Sequence, residues 1–313
     1  MDPSFVIAQM ITISLPILMG WGARKLGLMD NDFDTKLSRL ILNIGLPCMI
    51  LASLATSQGL PAPADMLWAI AGETMLLIIA AALGYAATAI MRAPAGTEGV
   101  YRFAITFSNC GLIGFPVISA VLGPDALLIA AIGLIPVNLI MFTVGVLMFS
   151  GGGKGGLGKQ LCRAAQCLKS PTLIASIVVL LCSLARFTDF GLVGTSLDLI
   201  GQMTTPLALL VTGSALASYK PLDMLTNARA YIACACRLVI APLVGLGVLR
   251  LLLPIGADII AILVLEAAMP VGTNGILYCL QYGVDTKPMV QCTFLTIVFA
   301  ILSIPVVTTL ALG

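Results

Sequence analysis

The fold of this chain is decided by the stretch Phe107-Ser108-Asn109-Cys110-Gly111-Leu112-Ile113-Gly114-Phe115-Pro116, in which polar and helix-breaking residues interrupt an apolar run. The second half holds a similar stretch, Glu266-Ala267-Ala268-Met269-Pro270-Val271-Gly272-Thr273-Asn274-Gly275. In a membrane, a broken helix leaves backbone polar groups without water, so a break persists only where it lines a cavity or is buried in protein. Breaks in corresponding positions of two halves indicate the binding site of a transporter.

The composition places the chain in a lipid bilayer. Hydrophobic residues make up 59% and charged residues 10%, and the mean hydropathy is +1.09, outside the range of soluble domains. A hydrocarbon core of about 30 Å needs roughly 20 apolar residues per helix. We therefore expect an all-α membrane protein with ten transmembrane spans: 5–23, 37–56, 66–91, 100–122, 126–149, 171–185, 192–218, 230–253, 259–282 and 289–312.

The cations predict the orientation of these spans. Thirteen of the 16 Lys and Arg residues fall in the odd-numbered loops or within three residues of them. They are Arg24, Lys25, Lys36, Arg39, Arg92, Arg102, Lys154, Lys159, Arg163, Lys169, Lys220, Arg229 and Lys287. Because cytoplasmic loops carry the excess of positive charge, we expect these loops to be cytoplasmic and both termini to be external.

The spans divide into two repeats. Five precede Gly151 and five follow it, and an odd number per half makes the repeats inverted. We therefore expect a first repeat over 1–149, a linker over 150–169 and a second repeat over 170–313. Within the linker, Lys159–Lys169 suits either a short basic helix on the cytoplasmic membrane surface or a solvated connector.

The broken spans predict an anion site. Spans four and nine run antiparallel, so the half-helix after each break starts near mid-membrane, with about half a positive charge at its N-terminus. Two such ends can bind an anion without a buried lysine. Asn109, Thr273 and Asn274 add side-chain donors, and glycines permit close backbone approach. The alternative is that the glycines and prolines only kink helices for packing.

On these residues the chain resembles the auxin efflux carrier family, which includes plant PIN carriers and malonate carriers and lies beside the bile-acid sodium symporters. The most specific pieces are Asn109 to Pro116 and Pro270 to Gly283. The resemblance implies a bacterial inner-membrane carrier whose spans 1, 2, 6 and 7 form a scaffold, often dimeric. Spans 3–5 and 8–10 would form a moving transport domain, with spans four and nine crossing at their prolines.

The resemblance also implies which residues bind substrate. Pro116 and Pro270 match the crossover prolines, and Asn109 and Asn274 the crossover asparagines. The implied substrate-binding set is Asn43, Asn109, Cys110, Gly111, Gly114, Pro116, Asn138, Pro270, Gly272, Thr273 and Asn274. In one departure, plant members pair an acidic residue of span three with a lysine one turn later. Here Glu73 is followed at that spacing by Leu77.

Glu73, Arg237 and Glu266 lie several residues inside predicted spans, where an ionisable group is a functional candidate. Arg237 and Glu266 could form an ion pair, or Glu266 could bind a coupling proton because burial disfavours its charged form. Glu73 lies nearer the external end of span three and could extend to the interface.

The expected function is secondary transport of a small organic anion, a carboxylate such as malonate or an auxin-like acid, by an elevator-type alternating-access mechanism. A sodium- or proton-coupled symporter of the bile-acid type is the alternative, and a passive channel fits two inverted halves less well. The chain has no histidine, which removes HExxH and Ser–His enzymes. We expect no cofactor, metal or nucleic-acid partner, and a homodimer through scaffold helices.

Overall fold

The computed structural model describes residues 15–56, 60–149, 170–218, 220–272 and 274–312. Most of them are helical, which confirms the all-α class for the described residues. In chain order the helices are α1 (15–25), α2 (Asn31–Ala55), α3 (Pro63–Ile90), α4 (Glu98–Thr106), α5 (Cys110–Leu122), α6 (Ala126–Phe149), α7 (Pro171–Leu184), α8 (Gly191–Ala217), α9 (Pro221–Met224), α10 (Ala228–Leu252), α11 (Ala257–Ala267), α12 (Asn274–Tyr282) and α13 (Lys287–Leu312). The predicted basic helix at Lys159–Lys169 lies outside the described residues.

Six of the described helices are long and apolar enough to cross a membrane: α2, α3, α6, α8, α10 and α13. Helices α5 and α7 are apolar but shorter. The predicted fourth span is divided between α4 and α5, and the predicted ninth span between α11 and α12. The chain is therefore an integral membrane protein with two interrupted apolar segments.

Several prolines are accommodated inside continuous helices. Three π turns of the described chain end two residues before a proline: Ile41–Gly45 before Pro47, Cys110–Gly114 before Pro116 and Cys236–Ile240 before Pro242. A proline cannot donate to the carbonyl four residues earlier, and the wider π pattern adjusts the helix around that missing bond. Pro136 and Pro305 also lie within helices. A proline alone therefore does not mark an interruption in this chain.

The described residues group into two compact units. Unit one comprises the described residues within Met1–Ile70, Gly111–Ile135 and Lys169–Lys220. Unit two comprises those within Ala71–Cys110, Pro136–Leu168 and Pro221–Gly313.

In unit one, helices α1 and α8 pack through glycine. A Cβ on Gly20 would overlap the carbonyl group of Leu210, and a Cβ on Gly213 would overlap that of Ile17. Such small residues let membrane helices approach to backbone contact. A buried polar contact joins α8 to α2 in the same unit, since Ser214 Oγ donates to Asp34 Oδ2 at 2.7 Å.

This packing predicts a contrast between two glycines on α1. Gly20→Ala should lower the free energy of unfolding by about 1–3 kcal/mol, because overpacking forces the backbones apart. Gly22→Ala is the matched control: nothing lies within 4 Å of its Cβ position, so the change should be neutral or stabilising by up to about 1 kcal/mol. Thermal unfolding in detergent measures both, and equal melting temperatures would contradict the packing.

In unit two, α3 packs closely against α10 and α11. A Cβ on Gly72 would lie 2.7 Å from Leu263 Cδ1, and a Cβ on Gly245 would overlap the Leu76 side chain. The same unit contains an aromatic cluster in which the Phe103 ring lies 4.8 Å from that of Phe107. Phe107 directly follows the end of α4, where the predicted fourth span is interrupted.

Candidate functional site

The two interruptions pair with each other in unit two. Helix α4 ends at Thr106 and α11 at Ala267, and after them Ser108 and Val271 form an isolated antiparallel bridge. The Asn109 N–H donates to the Pro270 carbonyl at 2.7 Å, and the Gly272 N–H donates to the Phe107 carbonyl at 3.0 Å. We call residues 107–109 and 270–272 the bridge region. Each interruption thus satisfies backbone groups that the other leaves free.

The bridge region uses several of the donors that the sequence assigned to an anion. Besides the Asn109 and Gly272 N–H groups, the Val271 N–H donates to Thr296 Oγ1 at 3.1 Å. Gly272 lies against the opposite segment, since a Cβ there would be 3.2 Å from the Ser108 carbonyl oxygen. These backbone donors are therefore already used within the protein.

Asn274 is the first residue of α12 and is half-buried. Its Nδ2 lies 3.5 Å from the thioether sulfur of Met141, a weak acceptor. Asn138 precedes Met141 by three residues on α6 and therefore lies on the same face of that helix. The structure thus brings Asn274 and Asn138 to one region of unit two.

Asn109 belongs to the bridge region and Cys110 directly follows it; these residues are 7% and 2% exposed. The Cys110 sulfur is 3.0 Å from Ser108 Oγ and 4.0 Å from the Glu266 carbonyl oxygen. The thiol therefore connects the start of α5 to the last turn of α11.

Arg237 lies on α10 and is 2% exposed. Its Nη1 donates to the carbonyls of Ile105 and Thr106, both at 2.9 Å. Its Nε donates to the Met269 carbonyl at 3.2 Å, and its Nη2 donates to the Ala267 carbonyl. The guanidinium thus binds the C-terminal ends of both α4 and α11.

The structure does not pair Arg237 with Glu266. Both carboxylate oxygens of Glu266 are buried and have no hydrogen-bond partner among the described residues, and the same holds for Oε2 of Glu73. Glu73 is 2% exposed, so it is enclosed by protein and does not reach an interface. It lies close enough to Arg237 and Glu266 to interact electrostatically with both.

Comparison with known proteins identifies the class of protein to which this geometry belongs. A family model described as membrane transport protein matches residues 5–308. The chain belongs to the membrane transport protein family. This family includes the auxin efflux carriers, so the resemblance drawn from the sequence is confirmed. The chain is also 22% identical over 302 residues to an uncharacterized transporter of Methanothermobacter thermautotrophicus, covering 94% of this chain and 95% of that relative. The protein is a membrane transporter and not an enzyme.

The remaining predicted site residues of this transporter fall in unit one or outside the described residues. Asn43 is exposed, and its amide donates to the Arg39 carbonyl of its own helix at 2.7 Å. Gly111, Gly114 and Pro116 lie on α5, in unit one. Thr273 is not among the described residues. The roles of these residues stay predictions of the sequence.

One difference from the sequence prediction concerns the prolines. Pro270 lies in the interruption between α11 and α12, as expected. Pro116 lies inside α5, seven residues beyond the bridge residue Asn109, and a π turn accommodates it. The fourth span is broken instead at Phe107, whose φ of −108° and ψ of 121° are extended.

The sequence analysis did not predict a role for the carbonyl groups that become free at the C-terminal ends of the interrupted helices. A break frees acceptors at the end of the first half-helix as well as donors at the start of the second. The available signal was Arg237 within an apolar span, because a buried guanidinium with five donors suits a cluster of carbonyls as well as a carboxylate.

Proposed function

We propose that this transporter carries a small organic anion, a carboxylate such as malonate or an auxin-like acid, by elevator-type alternating access. The observation that carries the proposal is the amide of Asn274. It lies at the N-terminus of α12, half-buried, with its Nδ2 directed at a thioether sulfur. A carboxylate oxygen is a much stronger acceptor than that sulfur, so an anion would displace the Met141 contact.

The surroundings of Asn274 support an anion over a cation. The N-terminus of α12 carries about half a positive charge, which favours an anion. Asn138 lies on the face of α6 that presents Met141. Asn109, in the bridge region, and Cys110, which follows it, belong to the same unit. We propose the side chains of Asn109, Cys110, Asn138 and Asn274 as the substrate-binding set of unit two.

Asn274→Ala should raise the KM for the transported carboxylate about tenfold or more, because a hydrogen bond to a charged group contributes about 1.5–3 kcal/mol. Initial uptake rates into proteoliposomes measure the change, and Asn109→Ala should behave alike. Asn31→Ala is the control, since Asn31 is exposed at the start of α2. A KM unchanged in both site variants would remove the substrate from the bridge region.

A second candidate function is ion-coupled symport, and the buried carboxyl groups of Glu266 and Glu73 favour it. An uncompensated buried carboxylate costs several kcal/mol, so a bound proton or cation would stabilise the pair. No group of three or more His, Cys, Asp or Glu residues in the described chain is arranged to hold a metal ion. We propose a proton as the coupling ion, because a single buried carboxyl group can bind it, with sodium as the alternative.

For the orientation in the membrane we propose what the cations predict. The protein lies in a bacterial inner membrane with both termini external and residues 151–169 cytoplasmic, because thirteen of the 16 Lys and Arg residues fall in the odd-numbered loops or within three residues of them. A homodimer through scaffold helices is proposed from the family resemblance.

A further inference from the structure

We propose that Arg237 is a positioning residue that holds the paired interruptions open by binding the carbonyl groups at the C-terminal ends of α4 and α11. The proposal rests on the proposed function only for its effect on substrate affinity. The structural part concerns the bridge region itself and can be tested without any substrate.

The guanidinium of Arg237 donates hydrogen bonds to both interruptions. Four of its five N–H donors bind carbonyl oxygens, two in the last two residues of α4 and two at the end of α11. These carbonyls lack helical partners because their helices stop, and a buried acceptor without a partner is costly. One side chain from a third helix, α10, therefore satisfies acceptors from both interruptions.

The positive charge of Arg237 lies at two helix C-termini. Each helix C-terminus carries about half a negative charge, so two ends bring about one negative charge to the guanidinium. The positive charge of Arg237 is therefore favoured at these ends, in addition to its electrostatic interaction with Glu73. Both carboxylate oxygens of Glu266 have no hydrogen-bond partner among the described residues, so the hydrogen bonds of Arg237 go to the helix ends.

The carbonyls that Arg237 binds are next in sequence to the bridge region. Thr106 accepts from Arg237 and is followed by Phe107, whose carbonyl accepts from Gly272. Met269 also accepts from Arg237 and is followed by Pro270, whose carbonyl accepts from Asn109. Arg237 therefore binds the residues that directly precede Phe107 and Pro270, and the carbonyls of Phe107 and Pro270 accept the two bridge hydrogen bonds. Without it, the two segments lose their common support and the register of the bridge is no longer fixed.

Disulfide trapping measures the bridge directly. Ser108 and Val271 form a non-hydrogen-bonded antiparallel pair, for which the Cα atoms lie about 4.5 Å apart. This separation permits a disulfide. We expect the double variant Ser108→Cys, Val271→Cys to form the bond under mild oxidation, identified by peptide mass spectrometry because Cys110 lies nearby. Adding Arg237→Lys should slow its formation at least tenfold, because a lysine has three donors on a point charge and cannot span four carbonyls.

Arg250→Lys is the matched control. Arg250 lies on the same helix and also donates to carbonyls, those of Leu310 and Ala311 at 3.3 and 3.1 Å, but its side chain is exposed. This substitution should leave the rate of disulfide formation unchanged. An equal rate in the Arg237→Lys and Arg250→Lys backgrounds would overturn the proposal, whatever the protein transports.

The transport readout separates positioning from folding. Arg237→Lys should raise the KM for the carboxylate about tenfold with a smaller change in kcat, and oxidation of the Ser108→Cys, Val271→Cys pair should restore it. Restoration supports the proposal, and a KM that stays raised in the oxidised protein contradicts it. If Arg237→Lys does not fold alone, recovery of folding on oxidation supports the proposal, and failure to fold with the disulfide in place contradicts it.

Discussion

Replacing Pro270 with alanine should reduce the transport rate about 100-fold while the protein remains folded. Proline disfavours a continuous helix by about 3 kcal/mol, which corresponds to about 100-fold in the equilibrium between broken and continuous forms. Alanine would supply an N–H that can donate to the Glu266 carbonyl four residues earlier. The preceding residues Ala267, Ala268 and Met269 are good helix formers, so α11 should extend through the interruption. The extension would break two hydrogen bonds, the one from Asn109 N–H to the carbonyl of residue 270 and the one from Arg237 Nε to the Met269 carbonyl.

Two other prolines calibrate this result. Pro305→Ala is the matched control, because Pro305 lies inside the continuous helix α13 and should leave the transport rate unchanged. Pro116→Ala should have an intermediate effect, since Pro116 lies inside α5 and not in the interruption. Uptake rates in proteoliposomes and melting temperatures in detergent measure both properties. Wild-type transport by the Pro270→Ala variant would mean that this proline only shapes packing.

Replacing Glu266 with glutamine should abolish the coupling of transport to an ion gradient. For a carrier that moves one proton with each carboxylate, a gradient of about two pH units supports about 100-fold accumulation. Glutamine keeps the shape of the side chain but cannot bind or release a proton. Accumulation should therefore fall to the level outside, while exchange of labelled for unlabelled substrate continues.

The control for this variant lies on the same helix. Asp258→Asn removes an exposed carboxylate from the first turn of α11 and should leave accumulation intact. Accumulation is measured with an imposed pH gradient and, separately, with a sodium gradient. Dependence on sodium that Glu266→Gln removes would identify sodium as the coupling ion. Full proton-driven accumulation by Glu266→Gln would exclude Glu266 from coupling.

The apolar spans and the interruptions could be predicted from the sequence because both are local properties. Runs of apolar residues predicted the six long described helices, and polar and helix-breaking residues predicted that the fourth and ninth spans would each be interrupted. The position of the break relative to Pro116 could not be predicted. A proline is compatible with a π turn as well as with an interruption, and the choice depends on pairing with a segment far away in the chain.

The contacts around the charged residues could not be predicted for the same reason. Glu73 is buried because Gly72 lets α3 approach α11 closely, and no local pattern reports that approach. Arg237 binds carbonyls that become free only when two distant segments end beside it. The sequence identified the residue types that such a site needs, whereas the partners of each residue are set by tertiary packing.

The central claim, that the residues beside the bridge region bind a small organic anion, is tested most directly by a matched pair of ligands. Purified protein in proteoliposomes is offered radiolabelled malonate and its neutral diamide, with indole-3-acetate as a larger carboxylate. We predict saturable uptake of at least one carboxylate, no uptake of the diamide, and a KM raised about tenfold by Asn274→Ala. Uptake of the diamide at the rate of malonate, or carboxylate uptake insensitive to Asn274→Ala and Asn109→Ala, would contradict it.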